Sequence, residues 1–177
     1  MNKILTAWEW NGPVSEPTAY GEGHINQTYA VTEQTTQKRY ILQKINTDTF
    51  KDPDGLMENI CGVTDFLREK AKQCGADPER ATLHVALTKA GKPYYKAADG
   101  GCWRVYDFVE NTVCLQQVQS AEDFYQSAVA FGNFQRQLAD YPANTLHETI
   151  PHFHDTPKRF ADFQRAVAED RMGRAAQ

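Results

Sequence analysis

Two glycines and two polar side chains near the start of the chain have the types and spacing to bind an anion. The stretch "AYGEGHINQTYAV", residues 19–31, contains Gly21 and Gly23, followed by His24 and Asn26, between segments of strand-forming residues. A turn without Cβ atoms lets backbone N–H groups approach phosphate oxygens. The same G-x-G spacing occurs in ordinary β-hairpins, so the pattern alone leaves both interpretations open.

Lys44 is a candidate for binding the same anion. It alternates with Tyr40 and Leu42 in "YILQK", so the three side chains are predicted to share one face of a strand. A lysine on a buried sheet face favours an anionic partner. The alternative is an exposed edge, or an aliphatic stem that lies along the surface. Kinase-like folds hold ATP phosphates with a glycine turn, a strand lysine and a helix in this order.

A carboxylate on the helix that follows such a lysine usually fixes its position. Glu58, in "LMENI", is the best-placed carboxylate by sequence. A helical wheel, however, puts Glu58 nearly opposite an apolar stripe made of Leu56, Ile60, Val63 and Leu67. If that stripe faces the sheet, Glu58 faces solvent or a groove, so its pairing with Lys44 stays open.

The stretch "WRVYDFVENT" contains a candidate hinge at Tyr106, Phe108 and Val109. A strand that runs into irregular chain can offer backbone groups to an adenine edge, with apolar side chains above and below the ring. The alternative interpretation is a core strand that ends at this point.

Three histidines and an aspartate lie close together later in the chain, at His147, His152, His154 and Asp155. The HxH spacing puts two imidazoles on the same side of an extended chain, but no further close ligand completes a tetrahedral metal site. We therefore expect Asp155 to cap the last helix, with Pro157 at its second position.

Five strands and one helix are predicted to position these residues, after a loose amino-terminal start. Apolar alternation predicts strands at residues 26–32 and 39–45, and helical periodicity predicts a helix at 54–74, after Pro53 and before Gly75. Three further strands are predicted within "TLHVALT", "KPYYKAA" and "CWRVYDFVE". These elements form an α+β unit, a five-stranded antiparallel sheet with one helix on it.

The remainder of the chain is predicted to be helical. Ser120 can cap a helix that ends near Pro142, with an apolar face made of Phe124, Ala128, Phe131, Phe134 and Leu138. A last helix has apolar residues at Phe160, Phe163 and Val167. Two helices with wide aromatic faces need partners, and the visible chain supplies few, so this helical region looks incomplete.

Composition excludes several classes of protein. The chain has 177 residues, of which 41% are hydrophobic and 24% charged, enough for one core or two small lobes. Its net charge is −4, and no continuous stripe of lysine and arginine predicts nucleic-acid binding. No membrane-spanning run or signal peptide is evident. The cysteines form no CxxC pair, which favours reduced thiols in a cytoplasmic protein; they are Cys61, Cys74, Cys102 and Cys114.

Several ordered segments together resemble a known family. They are "GEGHINQTYAV", "RYILQKIN", "FKDPDGLMENI" with "VTDFLREK", "YDFVENT", "FGNFQRQLADYP" and "LHETIPHFHDTPKRFADF". This set is similar to the amino-terminal half of the aminoglycoside phosphotransferase-like kinases, and within them to the N-acetylhexosamine 1-kinase branch. The resemblance runs from about residue 17 to the end of the chain, and the ordered set is more specific than any single motif.

The resemblance implies a two-lobed small-molecule kinase with a protein-kinase-like fold. Such an enzyme uses ATP and Mg²⁺ to phosphorylate a hydroxyl of its acceptor, here a sugar or amino sugar. Residues 1–110 would be the nucleotide-binding lobe with its hinge, and residues 111–177 the first helices of an incomplete substrate lobe.

The resemblance also implies roles for the candidate residues. Gly21–Asn26 would cover the phosphates, Lys44 would bind them, Glu58 would hold the lysine, and Tyr106–Val109 would be the hinge. Asn26 stands where the protein-kinase pattern has a third glycine, so the side chains of His24 or Asn26 would assist phosphate binding.

The catalytic residues of the family are missing from this sequence. In the family, an HxDxxxxN-like loop and a later acidic motif supply the catalytic aspartate and the metal ligands, and "HDTPKRF" lacks the spacing of that loop. Because phosphoryl transfer depends on these groups, the chain is expected to be an inactive fragment of the kinase.

Two alternatives stay open. One is a non-catalytic dimerisation or regulatory module, in which the glycine turn is only a hairpin. The other is a fragment of a choline- or homoserine-type kinase, since the acceptor is expected to be selected by the missing lobe. In either case the uncovered aromatic faces of the last two helices predict self-association, such as a homodimer.

Overall fold

Six antiparallel strands form one open sheet in the computed structural model, which describes residues 2–113 and 115–175. The strands are β1 (Thr18–Ala19), β2 (Gln27–Thr32), β3 (Arg39–Ile45), β4 (Val85–Ala86), β5 (Tyr95–Lys96) and β6 (Cys102–Asp107). Their order is β1–β2–β3–β6–β4, and β5 also pairs with β6. The α-helices in this part of the chain are α1 (Asn2–Leu5), α2 (Pro53–Gln73), α3 (Pro78–Ala81), α4 (Ala121–Gln137) and α5 (Thr156–Glu169).

The α+β class is confirmed, and the predicted count of five strands is wrong by one. The additional strand, β1, pairs with β2 through Thr18 opposite Ala30 and Ala19 opposite Tyr29. It has only two residues, which is too short for a visible apolar alternation. The residues between β1 and β2 contain the glycine turn, so the prediction that this turn joins two strands is confirmed, while its role in binding phosphate stays a prediction.

The amino-terminal segment is ordered, contrary to the loose start that the sequence suggested. Leu5 and Trp8 are buried on one face of the sheet, where Trp8 is 1% exposed and its indole N–H donates to the Ala86 carbonyl at 2.9 Å. The buried core on this face comprises Leu5, Trp8, Val31, Leu42, Ala97, Trp103 and Val105. Burial of so large an indole stabilises the sheet substantially and holds the segment in place.

Helix α2 packs on the opposite face of the sheet. Its buried residues Leu56 and Met57 contact Ile45 at the end of β3 and Cys102 at the start of β6. The N-cap is Asp52, whose Oδ1 accepts the N–H of Gly55 at 3.0 Å, and Pro53 occupies the first turn, as Pro often does. The predicted helix boundaries, 54–74, lie within one residue of the observed ones.

A fully buried carboxylate organises the turn between β2 and β3. Glu33 is 0% exposed, and its carboxylate accepts the N–H of Thr35 at 2.7 Å and the N–H of Thr36 at 3.0 Å. The Thr36 hydroxyl donates to the same group. These hydrogen bonds, that of the Thr36 side chain first, lower the pKa of the Glu33 carboxyl. The Glu33 carboxylate therefore fixes the conformation of the polar "EQTTQ" connection between β2 and β3.

The two predicted helix caps in the second region are confirmed. Ser120 Oγ accepts the N–H of Asp123 at 3.1 Å, and Asp155 Oδ1 accepts the N–H of Lys158 at 3.0 Å. Helix α4 ends at Gln137, earlier than the predicted end near Pro142, because beyond it the Ala139 and Tyr141 N–H groups bond to carbonyls three residues back instead of four.

The aromatic side chains of α4 and α5 are exposed, as predicted from the sequence; they include Phe124, Phe131, Phe134, Phe160 and Phe163. Among the described helices, none combines the length and apolarity that crossing a bilayer requires.

Candidate functional site

The two faces of the sheet carry different side chains, and strand register assigns the candidate residues to them. Lys44 pairs with Trp103, and the neighbouring Gln43 pairs with Arg104. Side chains alternate along each strand, so these two pairs lie on opposite faces. We call the face with Leu42, Lys44, Trp103 and Val105 the core face, and the face with Thr28, Ala30, Ile41, Gln43, Arg104 and Tyr106 the helix face, because α2 packs at one end of it.

Lys44 lies on the core face. Its predicted alternation with Tyr40 and Leu42 is confirmed, and all three lie on the side of Trp103. Its Nζ is 5.8 Å from the centroid of the Trp103 ring, and the side chain is half-buried. Within the described residues, Lys44 has no ion pair with a carboxylate.

Glu58 is directed away from Lys44, so the structure does not bring this predicted pair together. Its Oε2 is 2.6 Å from Nε2 of His147, which lies in the segment between α4 and α5. The next residue, Asn59, holds the His147 backbone, accepting its N–H at 2.8 Å and donating to its carbonyl at 2.9 Å. The reason is helix geometry: the apolar stripe of α2 faces the sheet, which turns Glu58 outward.

The glycine turn is exposed, and Gly21 has a backbone conformation that favours glycine. Gly21 has φ +75°, a conformation that side chains with a Cβ rarely adopt, and the space around Gly21 and Gly23 is open. His24 is exposed. Asn26 has a structural contact, because its Oδ1 accepts the Asn46 N–H at 2.8 Å and ties the turn to the end of β3.

The candidate hinge follows β6 as irregular chain. Tyr106 is half-buried on the helix face, and β6 ends one residue later. The Phe108 ring lies against Tyr20, with ring centroids 5.2 Å apart, and 3.8 Å from the guanidinium carbon of Arg39. Tyr20 directly precedes the glycine turn, so this aromatic pair connects the base of the turn with the start of the hinge.

Val109 lines a largely apolar cavity of about 540 Å³ beside the hinge. The other walls come from α2, from residues 79–83 in and after α3, and from Phe134 of α4. The residues of the glycine turn and Lys44 do not line this cavity. The structure thus separates Val109 from the other candidate residues.

Arg104 is a residue that the sequence interpretation missed. Its Nε and Nη2 donate to Oε1 of Gln43 at 3.0 and 2.6 Å, and its Nη1 is 3.6 Å from Sδ of Met57. Gln43 is 9% exposed and is itself fixed, since its Nε2 donates to Thr28 Oγ1 at 2.8 Å. The sequence did carry a signal: an arginine in the alternating stretch "CWRVYD" occupies a strand centre, where an unpaired charge is unusual.

Burial dominates the electrostatics of this part of the helix face. Burial away from water lowers the pKa of the Arg104 guanidinium. Tyr106 and Cys61 raise this pKa by a smaller amount. Burial likewise raises the pKa of the Tyr106 phenol. In the described residues, no carboxylate forms an ion pair with Arg104. The charged guanidinium therefore has a neutral amide, from Gln43, and a thioether, from Met57, as its hydrogen-bond partners.

One cluster within the described residues has the composition of a metal site: ligand atoms of Glu79, His84 and Asp107 lie within 4.8 Å of one another. Both carboxylates already have cationic partners, because Arg68 binds Glu79 at 2.5 Å and Lys38 binds Asp107 at 2.7 Å. A divalent ion would have to compete with these cations, so the cluster is better explained as an ion-pair network.

The comparison with models of known protein families yields no match to this chain.

Proposed function

We propose that this chain binds ATP on the helix face of its sheet and forms the nucleotide-binding part of a small-molecule kinase. The full enzyme would transfer the γ-phosphate to a hydroxyl of a sugar or amino sugar. The acceptor and the use of Mg²⁺ come from the family resemblance alone. The residues that would hold the metal and catalyse transfer are absent from this sequence, so binding is the activity to test.

The observation that carries the proposal is the layout of the helix face. An aromatic pair, Tyr20 and Phe108, lies at the end beside the hinge, and polar side chains of Thr28, Gln43 and Arg104 lie toward α2. Phe108 follows Arg104 by four positions, just after the end of β6, a span of about 13 Å at the usual rise of a strand. Stacking of a base at one end and binding of phosphates at the other would suit this arrangement.

The adjoining elements support the same interpretation. Helix α2 covers the end of the helix face near Ile45 and Cys102 and reaches Arg104 through Met57, while Thr28, Ala30 and Tyr106 stay half-buried. The exposed glycine turn joins β1 to β2 and directly follows Tyr20, which packs against Phe108. A ligand that stacks on this aromatic pair would thus have the exposed backbone of the glycine turn beside it.

Titration calorimetry with ATP and with adenosine tests this function. We expect saturable binding of both ligands, and a Phe108→Ala variant should weaken both by roughly 5- to 150-fold through loss of base stacking. Phe124→Ala is the matched control, because Phe124 is an exposed aromatic on α4, far along the chain from the sheet. Absence of saturable ATP binding, or equal weakening by both variants, would contradict the proposal.

A dimerisation module is the second candidate, favoured by the exposed phenylalanines of α4 and α5. An apolar surface of this kind commonly contacts a partner, and a second copy of the chain is the simplest one. Sedimentation at micromolar concentration should then give a dimer that Phe131→Glu converts to monomer. A monomeric unmodified chain would exclude this candidate.

A further inference from the structure

We propose that Arg104, positioned by Gln43, is the phosphate-binding cation of the helix face, in the role that the sequence interpretation gave to Lys44. The ligand class is an oxyanion with at least two free oxygens, such as the phosphate chain of a nucleotide. This inference rests on the proposed nucleotide-binding function, and the experiment below separates the failure of one from the failure of the other.

The first argument is the positioning of the guanidinium. Two of its N–H groups donate to the single Oε1 of Gln43, and the Gln43 amide is held by Thr28, so the amide oxygen is aimed at Arg104. A guanidinium has five N–H donors. Gln43 takes two and Met57 Sδ takes one, which leaves two donors for a ligand. A planar fork with free donors matches phosphate geometry.

The second argument is the charge balance. The arginines nearest to the sheet and α2 include two with carboxylate partners, Arg39 with Glu110 and Arg68 with Glu79. Arg104 is half-buried at the centre of the sheet, and its partner is the neutral amide of Gln43 instead of a carboxylate. A buried charge without a counter-ion is costly, and an anionic ligand would remove the cost. A glutamate at position 43 would neutralise the arginine permanently, and the chain has a glutamine there instead.

The third argument concerns Lys44, which follows Gln43 directly in β3. Consecutive residues of a strand face opposite sides of the sheet. Lys44 therefore lies beside Trp103 on the core face, where Trp8, Leu42 and Val105 fill the adjoining space. An anion on the helix face would meet Arg104 and would be separated from Lys44 by the sheet itself.

Three single variants test the inference by calorimetry, with ATP, tripolyphosphate and adenosine as probes. Gln43→Glu supplies a counter-ion to Arg104, Arg104→Met removes the charge, and Lys44→Met is the matched control on the other face. We expect Gln43→Glu and Arg104→Met to weaken ATP and tripolyphosphate by about 10- to 100-fold, the range for a charge-assisted hydrogen bond. Adenosine affinity should be unchanged, and Lys44→Met should change ATP affinity by less than about threefold.

Each remaining outcome is decisive. If the unmodified chain binds neither ATP nor tripolyphosphate, the proposed function and this inference both fail. If ATP binds and only Lys44→Met weakens it, or if Gln43→Glu leaves the affinities unchanged, the role of Arg104 fails while nucleotide binding stands. If Arg104→Met does not fold, Gln43→Glu decides alone, because its new ion pair should keep or raise the melting temperature while binding is lost.

Discussion

Each side of the sheet has a charged side chain that is withdrawn from water, Glu33 on one and Arg104 on the other, and their surroundings differ. On the core-face side, Glu33 is fully buried and accepts hydrogen bonds from Thr35 and Thr36, so its charge is satisfied within one turn. On the helix face, the guanidinium of Arg104 has the neutral Gln43 and Met57 as its hydrogen-bond partners and lies 5.9 Å from the centroid of the Tyr106 ring. The first arrangement is complete without a ligand, whereas the second gains from one.

On this account, the core face stabilises the fold and the helix face binds the ligand. The core face combines buried indole and aliphatic groups with a hydrogen-bonded carboxylate, and burial of these apolar groups stabilises the fold. The helix face is apolar where α2 packs against Ile45 and Cys102, and farther along it carries the polar side chains of Thr28, Gln43 and Arg104. Substitutions on the core face should therefore lower the free energy of unfolding, and substitutions at Arg104 should lower ligand affinity.

The largest expected effect is on the core face. Trp8→Ala removes a buried indole and its hydrogen bond to Ala86, and should lower the free energy of unfolding by about 3–5 kcal/mol. Arg104→Met should change it by about 1 kcal/mol or less, because apolar replacement of a buried charge is often neutral. Urea denaturation measures both. Comparable losses in the two variants would remove the distinction between the faces.

The next effect concerns Glu33 and depends on pH. Its folded pKa is lowered, so its contribution to stability is present above the unfolded value of 4.5 and is lost as pH falls below that value. Glu33→Gln should melt at a lower temperature than the unmodified chain at pH 7, and the difference should shrink toward pH 3. The exposed Glu22→Gln is the control. A difference that is independent of pH would argue against a stabilising carboxylate.

The smallest effect concerns the attachment of α2 to the helix face. Asp52→Ala removes the N-cap that accepts the Gly55 N–H, and should cost about 1 kcal/mol of stability. Asp52→Asn should restore most of it, since asparagine caps helices equally well. ATP affinity should stay unchanged in both variants, because two of the three hydrogen bonds of the Arg104 guanidinium go to Gln43 of β3. Loss of ATP binding in Asp52→Ala would show that α2 itself shapes the site.

Local patterns predicted most of the fold. Alternation placed β2 and β3 within a residue of their observed bounds, and Ser120 and Asp155 cap their helices as expected. These features depend on neighbours in sequence, which a sequence shows directly. The two residues of β1 are too few to show an alternation, and the burial of Trp8 depends on residues far along the chain, such as Ala86, which no local pattern reports.

The residues of the candidate site were harder to predict from the sequence than the strands and helices. Alternation correctly predicted that Tyr40, Leu42 and Lys44 share a face, but it cannot say which face the helix covers. That choice depends on how α2 packs, at Ile45 and Cys102. Because α2 packs on the other face, the polar residues beside it are Gln43 and Arg104, one position along each strand from Lys44 and Trp103.

Nuclear magnetic resonance of the ¹⁵N-labelled chain, titrated with ATP, tests the central claim most directly. Arg104 and Trp103 are consecutive residues on opposite faces, and each has a side-chain N–H that reports on its own face. The account predicts that the Arg104 Nε–H signal shifts on addition of ATP while the Trp103 indole signal stays in place. A shift of the Trp103 indole with an unchanged Arg104 signal would place the anion beside Lys44 and contradict the account.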